Sequence, residues 1–256
     1  MPVTDYTRDS EYFSASQQGD VVTFRFKQNR LMHASLFEAK NAVLGYLEEV
    51  SRADAVKVVI IMGNAGHDDC DQYRSVCSMI RSGELPETAI LRMFRAVDQL
   101  MLTLVGSSTM FVGVSAGETV PLLLSVNLAC DYRIAGQSLR VRHLYQDEGL
   151  LPKGGLPFFF GRRVGRSKAL EWLVLKDRIS ARDCLDLGLV DRVVPDELLE
   201  STAQDIVRTL SRYPKPLLAR FKRLLNRSLE GLPEYLEEEN RELCFVLENA
   251  NCLGGA

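Results

Sequence analysis

Residues 111–135 read FVGVSAGETVPLLLSVNLACDYRIA, and this stretch decides the fold. FVGVSA (111–116) is a short apolar, β-branched run closed by Gly117, which predicts a strand. Pro121 then opens a second apolar run, PLLLSVNLA, long enough for one buried helix. Proline suits the first helical position, where its missing N–H would have had no helical partner. YRIA (132–135) returns to strand character. Moving outward toward the N-terminus, KVVIIM (57–62) is another β-branched run ending in Gly63 and predicts a buried strand that enters a loop. Between residues 34 and 51 the positions Leu36, Phe37, Val43, Leu44, Leu47 and Val50 fall at helical spacing, and DVVTFRF (20–26) alternates as a strand does. The first 18 residues read as a frayed or strand-like arm, the stretch from 64 to 88 as a polar and irregular connection at its start, and 89–105 as a helix.

Toward the C-terminus, SLRVRH (138–143) predicts a strand and GLLPKGGLP (149–157) a turn-rich loop. Helices then alternate with short strands to Val194, and 199–256 is helical but broken by Pro214, Pro216 and Pro233. Repeated strand–helix alternation predicts an α/β fold with a helical C-terminal appendage. The expected division is a core over 1–198 and a helical region over 199–256.

Composition bounds the function. The chain has 256 residues, 46% of them hydrophobic and 25% charged, with a net charge of −3. Lys and Arg are spread along it, so no electrostatic footprint for nucleic acid is present. No apolar run reaches the roughly 18 to 20 residues needed to span a bilayer. The start, MPVTDYTRDSEYF, lacks the apolar segment of a secretory signal, and the expected location is cytoplasmic. The six cysteines form no CxxC pair, which fits free thiols in a reducing compartment. With histidines only at 33, 67 and 143, no metal centre is expected.

Five words in order carry a resemblance: ACDYRIA (129–135), EGLLPKGG (148–155), RRVGRSKALEWLV (162–174), ISARDCLDLGLVDRVVPDELL (179–199) and KPLLARFKRLLNRSLE (215–230). Together they resemble the ACD-RIA, G-IP-GG, R-VG--KA-E, ISA-EA---GLV--VVP and P-A----K--LN segments of the crotonase family, the enoyl-CoA hydratase/isomerase superfamily. Each word alone is weak, and their joint order and spacing carry the assignment. The resemblance spans roughly residues 20–250. It implies a spiral of ββα turns, a C-terminal helical region that builds trimers or dimers of trimers, and a thioester of coenzyme A, or of an acyl carrier, as substrate. It implies no permanently bound cofactor, since coenzyme A enters as part of the substrate.

The resemblance also implies a shared device, two backbone N–H groups that hold the thioester oxygen while it gains negative charge. Such preorganised donors are typically worth about 3 to 4 kcal/mol each. One maps to about Cys70, in the loop after the VVIIM strand. The other maps to Leu122, where the family's glycine-rich turn is replaced by Pro121-Leu122-Leu123. The Leu122 N–H would remain free at the positive end of the helix dipole. The alternative is an ordinary apolar helix start whose leucine side chains fill the pocket.

Departures from the family are as informative. Its two hydratase glutamates map to Ser125 and Tyr145, and neither is a carboxylate. A hydroxyl and a phenol do not replace a carboxylate pair near neutral pH, so efficient hydration of an enoyl thioester is not expected. Tyr145 is the candidate proton donor or oxyanion partner, against a packed tyrosine with a satisfied hydroxyl, and Ser125 is weighed against a helix-interior serine. Lys153 reads chiefly as a solvated turn lysine, and His67 as a loop histidine. The Asp68–Asp71 cluster reads as a solvated loop. Lys27, Arg30 and Asp68 are the candidate contacts for coenzyme A, the two basic residues meeting its phosphates. The expected function is an enzyme that processes acyl thioesters through oxyanion stabilisation. The alternative is a catalytically weak protein of this fold that binds acyl thioesters or assembles with a partner enzyme.

The segment 199–256 carries Leu217, Leu218, Phe221, Leu224, Leu225, Leu236, Leu243, Phe245 and Leu247, more than a short helical tail buries alone. Burial against a neighbour would contribute about 1.5 to 3 kcal/mol for each such side chain. A homotrimer or hexamer is therefore expected in light scattering at micromolar concentration; a 28.7 kDa monomer would overturn this.

Overall fold

Val58, Val59, Ile60 and Ile61 are all at most 4% exposed. A strand covered on both faces needs no polar alternation, which explains the unbroken apolar run. The computed structural model describes residues 5–27, 30–33, 36–63 and 69–249. In chain order its strands are β1 (Arg8–Asp9), β2 (Phe13–Gln18), β3 (Val21–Phe26), β4 (Val58–Met62), β5 (Met110–Ser115), β6 (Glu118–Thr119), β7 (Tyr132–Gly136), β8 (Arg140–Arg142), β9 (Arg178–Ser180) and β10 (Arg192–Val194). Seven form one sheet in the order β1-β2-β3-β4-β5-β7-β10, antiparallel from β1 to β3 and parallel from β3 onward. The other three, β6-β8-β9, form a small second sheet. The strand-like reading of the N-terminal arm holds from Arg8, with Phe13 buried against Phe24 and Tyr46.

The helices are α1 (Arg30–His33), α2 (Phe37–Arg52), α3 (Asp69–Arg81), α4 (Glu87–Gly106), α5 (Pro121–Leu128), α6 (Leu144–Asp147), α7 (Leu156–Val164), α8 (Arg166–Val174), α9 (Ala181–Asp186), α10 (Leu199–Leu210), α11 (Lys215–Leu225) and α12 (Leu232–Glu248). Strand residues alternate between two cores. Phe24, Val59, Ile61 and Phe111 face Tyr46, Leu47 and Val50 of α2 and Met101 and Leu104 of α4. Val58, Ile60, Val112 and Ile134 face Leu199, Ala203 and Val207 of α10. Two expectations change here. Residues 69–81, read as the polar connection, form α3, because its buried face is narrow: Asp69, Val76 and Cys77 are its buried residues. The C-terminal segment is helical as expected, yet it is no appendage, since α10 closes one face of the main sheet.

Lys222 of α11 binds that helix into the core. Its side chain is 1% exposed, and Nζ donates to the carbonyls of Leu104 (2.6 Å) and Thr109 (3.0 Å) and to Asp131 Oδ2 (2.9 Å). Asp131 Oδ2 also accepts the Phe111 N–H of β5 at 2.8 Å. Burial raises the Asp131 carboxyl above its ordinary range, although Lys222 opposes this. Lys222→Ala would leave Asp131 buried without its cation, and a loss of about 3 to 5 kcal/mol is expected in urea denaturation. A loss below 1 kcal/mol would show that solvent reaches the carboxylate.

Candidate functional site

Helix α3 is tied to the segment that leads into α5. Asp69 of α3 is 1% exposed, and Thr119, two residues before Pro121, donates Oγ1–H to its Oδ2 at 2.9 Å. Parallel pairing of Thr119 with Val141 fixes that threonine in the second sheet. Leu122 is the second residue of α5, where the helix supplies no acceptor for the N–H and the dipole adds partial positive charge. Cys70 is the second described residue of α3. Leu123 and Leu124 donate to the Val120 carbonyl, at 3.0 and 3.4 Å, whereas the Leu122 N–H has no acceptor among the described residues. Thus Cys70 lies in a helical turn rather than the loop expected for it. Burial, with Glu118 adding to it, raises its thiol above the usual range, so the amide is its useful group.

Apolar space adjoins these residues. A cavity of about 70 Å³ is lined by Pro121, Leu122, Tyr145 and Lys153 together with Tyr73, Val76 and Ile80 of α3. A second, of about 90 Å³, is lined by Leu122, Leu123, Val126 and residues of α2 such as Ala39 and Val43. A larger concavity lies elsewhere, a cleft of about 1220 Å³ between α4 and α12. Neither Cys70 nor Leu122 reaches it.

Tyr145 lines the smaller cavity, but its hydroxyl donates to the Leu173 carbonyl at 2.5 Å. Burial also raises its pKa well above that of a free phenol. Its one phenolic proton is thus held by a backbone oxygen, which sets this geometry against the expected proton-donor role. The Ser125 hydroxyl is likewise engaged with backbone. The residue is 0% exposed, lies outside both cavity walls, and its hydroxyl is within 3.1 Å of the Pro121 carbonyl and 3.3 Å of the Lys153 carbonyl. It braces α5 against the 149–155 turn. Lys27 forms an exposed pair with Asp9 at 2.8 Å. The Arg30 side chain, Asp68 and His67 lie outside the described residues.

Lys153 is the clearest departure from expectation. Its side chain is 10% exposed, and Nζ pairs with Asp98 of α4 and with Glu239 of α12, the latter at 2.9 Å. Glu239 also accepts the N–H groups of Gly154 and Gly155, both at 2.8 Å, and Asn240 donates to Asp98 at 2.6 Å. Burial raises the Glu239 carboxyl despite Lys153 and the two amides. Gly154 and Gly155 have φ of 89° and 73°, and a Cβ at Gly154 would come within 3.0 Å of Ser125 Cβ. Hence two adjoining glycines are required. The sequence carried one signal for this cluster: Glu239 shares the helical stripe of Leu232, Leu236 and Leu243, where an acidic residue must find a partner.

Residues 26–247 match the enoyl-CoA hydratase/isomerase family. The chain belongs to this family. It is 26% identical over 225 residues to a probable enoyl-CoA hydratase of Mycobacterium tuberculosis, covering 84% of this chain and 77% of that protein. It is 27% identical over 202 residues to the 1,2-epoxyphenylacetyl-CoA isomerase of Escherichia coli K12, covering 77% and 72%. The crystal structure of an enoyl-CoA hydratase from Bacillus halodurans superposes with a TM-score of 0.81 at 18% identity, over 93% of this chain and 95% of that one. The crotonase-like α/β fold expected from the sequence is thereby shown. Among the described residues no helix is long and apolar enough to cross a membrane.

Tyr145→Phe tests the role of the phenol. Gln146 Nε2 still donates to the Leu173 carbonyl at 2.8 Å, so the variant should lose only about 1 kcal/mol in thermal unfolding. Turnover on an accepted thioester should stay within about threefold of wild type; a loss of 10²-fold or more would return the phenol to the chemistry.

Proposed function

We propose that this chain processes a thioester of coenzyme A or of an acyl carrier, holding the thioester oxygen between the amides of Cys70 and Leu122. The observation that carries this reading is the Leu122 N–H, second in its helix and without an acceptor among the described residues, beside the buried Thr119–Asp69 hydrogen bond that ties α3 to the segment leading into α5. Family membership supports the substrate class, as do relatives named for acyl-CoA chemistry. Coenzyme A arrives as part of the substrate, and no permanently bound cofactor is invoked. Lys27, Arg30 and Asp68 are proposed for its nucleotide end; Lys27 would exchange its exposed partner Asp9 for a phosphate.

Charge building on the oxygen, as an enolate or a tetrahedral adduct, is stabilised by two fixed dipoles in apolar surroundings. Isomerisation, hydrolysis and decarboxylation share that demand. Hydration adds another, a carboxylate pair that positions water, and the positions matched to that pair hold Ser125 and Tyr145 with both hydroxyls bonded to backbone carbonyls. A catalytically weak binding protein is the second reading, favoured by the small size of the two cavities.

The oligomer is proposed on exposed apolar surface. Leu218, Leu236 and Leu243 are buried within the chain, whereas Leu217, Phe221, Leu224, Leu225 and Phe245 are 40–69% exposed. Those outward residues would pack against another copy, in a trimer or a dimer of trimers.

Two measurements test the function. Crotonyl-CoA should be hydrated far more slowly than the roughly 10 s⁻¹ of a typical enzyme; turnover at or above that rate would overturn the assignment of the glutamate positions. Thr119→Val should weaken binding of butyryl-CoA at least tenfold while leaving free coenzyme A unaffected. Equal weakening of both ligands would place the thioester elsewhere.

A further inference from the structure

The apolar space beside Leu122 is divided. One chamber, about 90 Å³, faces α2, and the other, about 70 Å³, faces α3. Leu31, Val97 and Leu122 line both and so form the wall between them. Pockets that enclose drug-sized ligands run to several hundred Å³. A water-sized group needs about 15 Å³ of such volume, so each chamber takes roughly five of them.

Of the three wall residues, Leu122 is the one whose amide is proposed to meet the thioester oxygen. An acyl chain whose carbonyl oxygen meets that amide starts beside the Leu122 side chain and must enter one chamber or the other. The side chain is also hemmed in on the turn side. The Leu122 side chain sits against Gly154, where an added Cβ would stand 3.2 Å from Leu122 Cδ1, and Gly154 is held by its N–H bond to Glu239.

We infer that the Leu122 side chain is a partition that restricts this protein to short acyl groups, of about four or five carbons. The inference rests on the proposed thioester site and goes beyond it by naming the residue that sets chain length.

Calorimetric titration of the purified protein with acetyl-, butyryl-, hexanoyl- and octanoyl-CoA tests it. In wild type the affinity should rise about fourfold per methylene to butyryl-CoA, the gain expected for a buried methylene, and then level or fall. Leu122→Ala keeps the amide and joins the chambers, so the rise should continue to octanoyl-CoA, and the octanoyl-to-butyryl affinity ratio should increase at least tenfold. Leu123→Ala enlarges only the chamber facing α2 and should leave the break near butyryl-CoA. Affinity that climbs through octanoyl-CoA in wild type overturns the partition, and this result needs no variant to fold. A break unchanged in Leu122→Ala overturns it too. If none of the four esters binds, the thioester reading fails and the partition fails with it.

Discussion

The hydrogen bond from Thr119 to Asp69 joins two segments that lie 50 residues apart in the chain. An ionised carboxylate is costly to bury unless it is hydrogen-bonded, so Asp69 must face a donor. The donor's own place is set by the second sheet, where Thr119 pairs with Val141. The bond thus ties α3 to the segment that leads into α5, whose second residue, Leu122, has an N–H without an acceptor among the described residues.

Two groups able to move a proton at the smaller cavity are engaged elsewhere. The Tyr145 proton goes to the Leu173 carbonyl, and the Lys153 ammonium to Asp98 and Glu239. Burial raises the Cys77 thiol to about 12, which keeps it protonated near neutrality. The proposed thioester site would therefore draw on backbone amides rather than on a paired acid and base.

The Lys153 cluster serves the site indirectly. Glu239 on α12 accepts both glycine N–H groups of the turn, and Lys153 balances its charge, so the C-terminal helix holds the wall of the cavity in place. Together with Lys222 of α11, this makes the C-terminal helical region part of the core. Buried ion pairs of this kind contribute little net stability, but removing one partner is strongly destabilising, and so they hold helices in one arrangement.

The sequence alone determined the α/β class, the strands at 58–62 and 110–115, the helix begun by Pro121, and the family resemblance. These are carried by local signals: β-branched runs, helical spacing, proline position and words of fixed order. It also located the Leu122 amide, because a proline at the first helical position leaves the next N–H without a helical partner. Tertiary structure alone decided the rest. Helix α3 was hidden because its apolar face is narrow and its first residues are acidic. The roles of Tyr145, Ser125 and Lys153 were hidden because each depends on partners 28 or more residues away: Leu173, the Lys153 carbonyl for Ser125, and Asp98 with Glu239. A hydroxyl or an ammonium has the same chemistry on paper whether it faces a substrate or a buried backbone oxygen. Only the packing of distant segments decides which partner it meets.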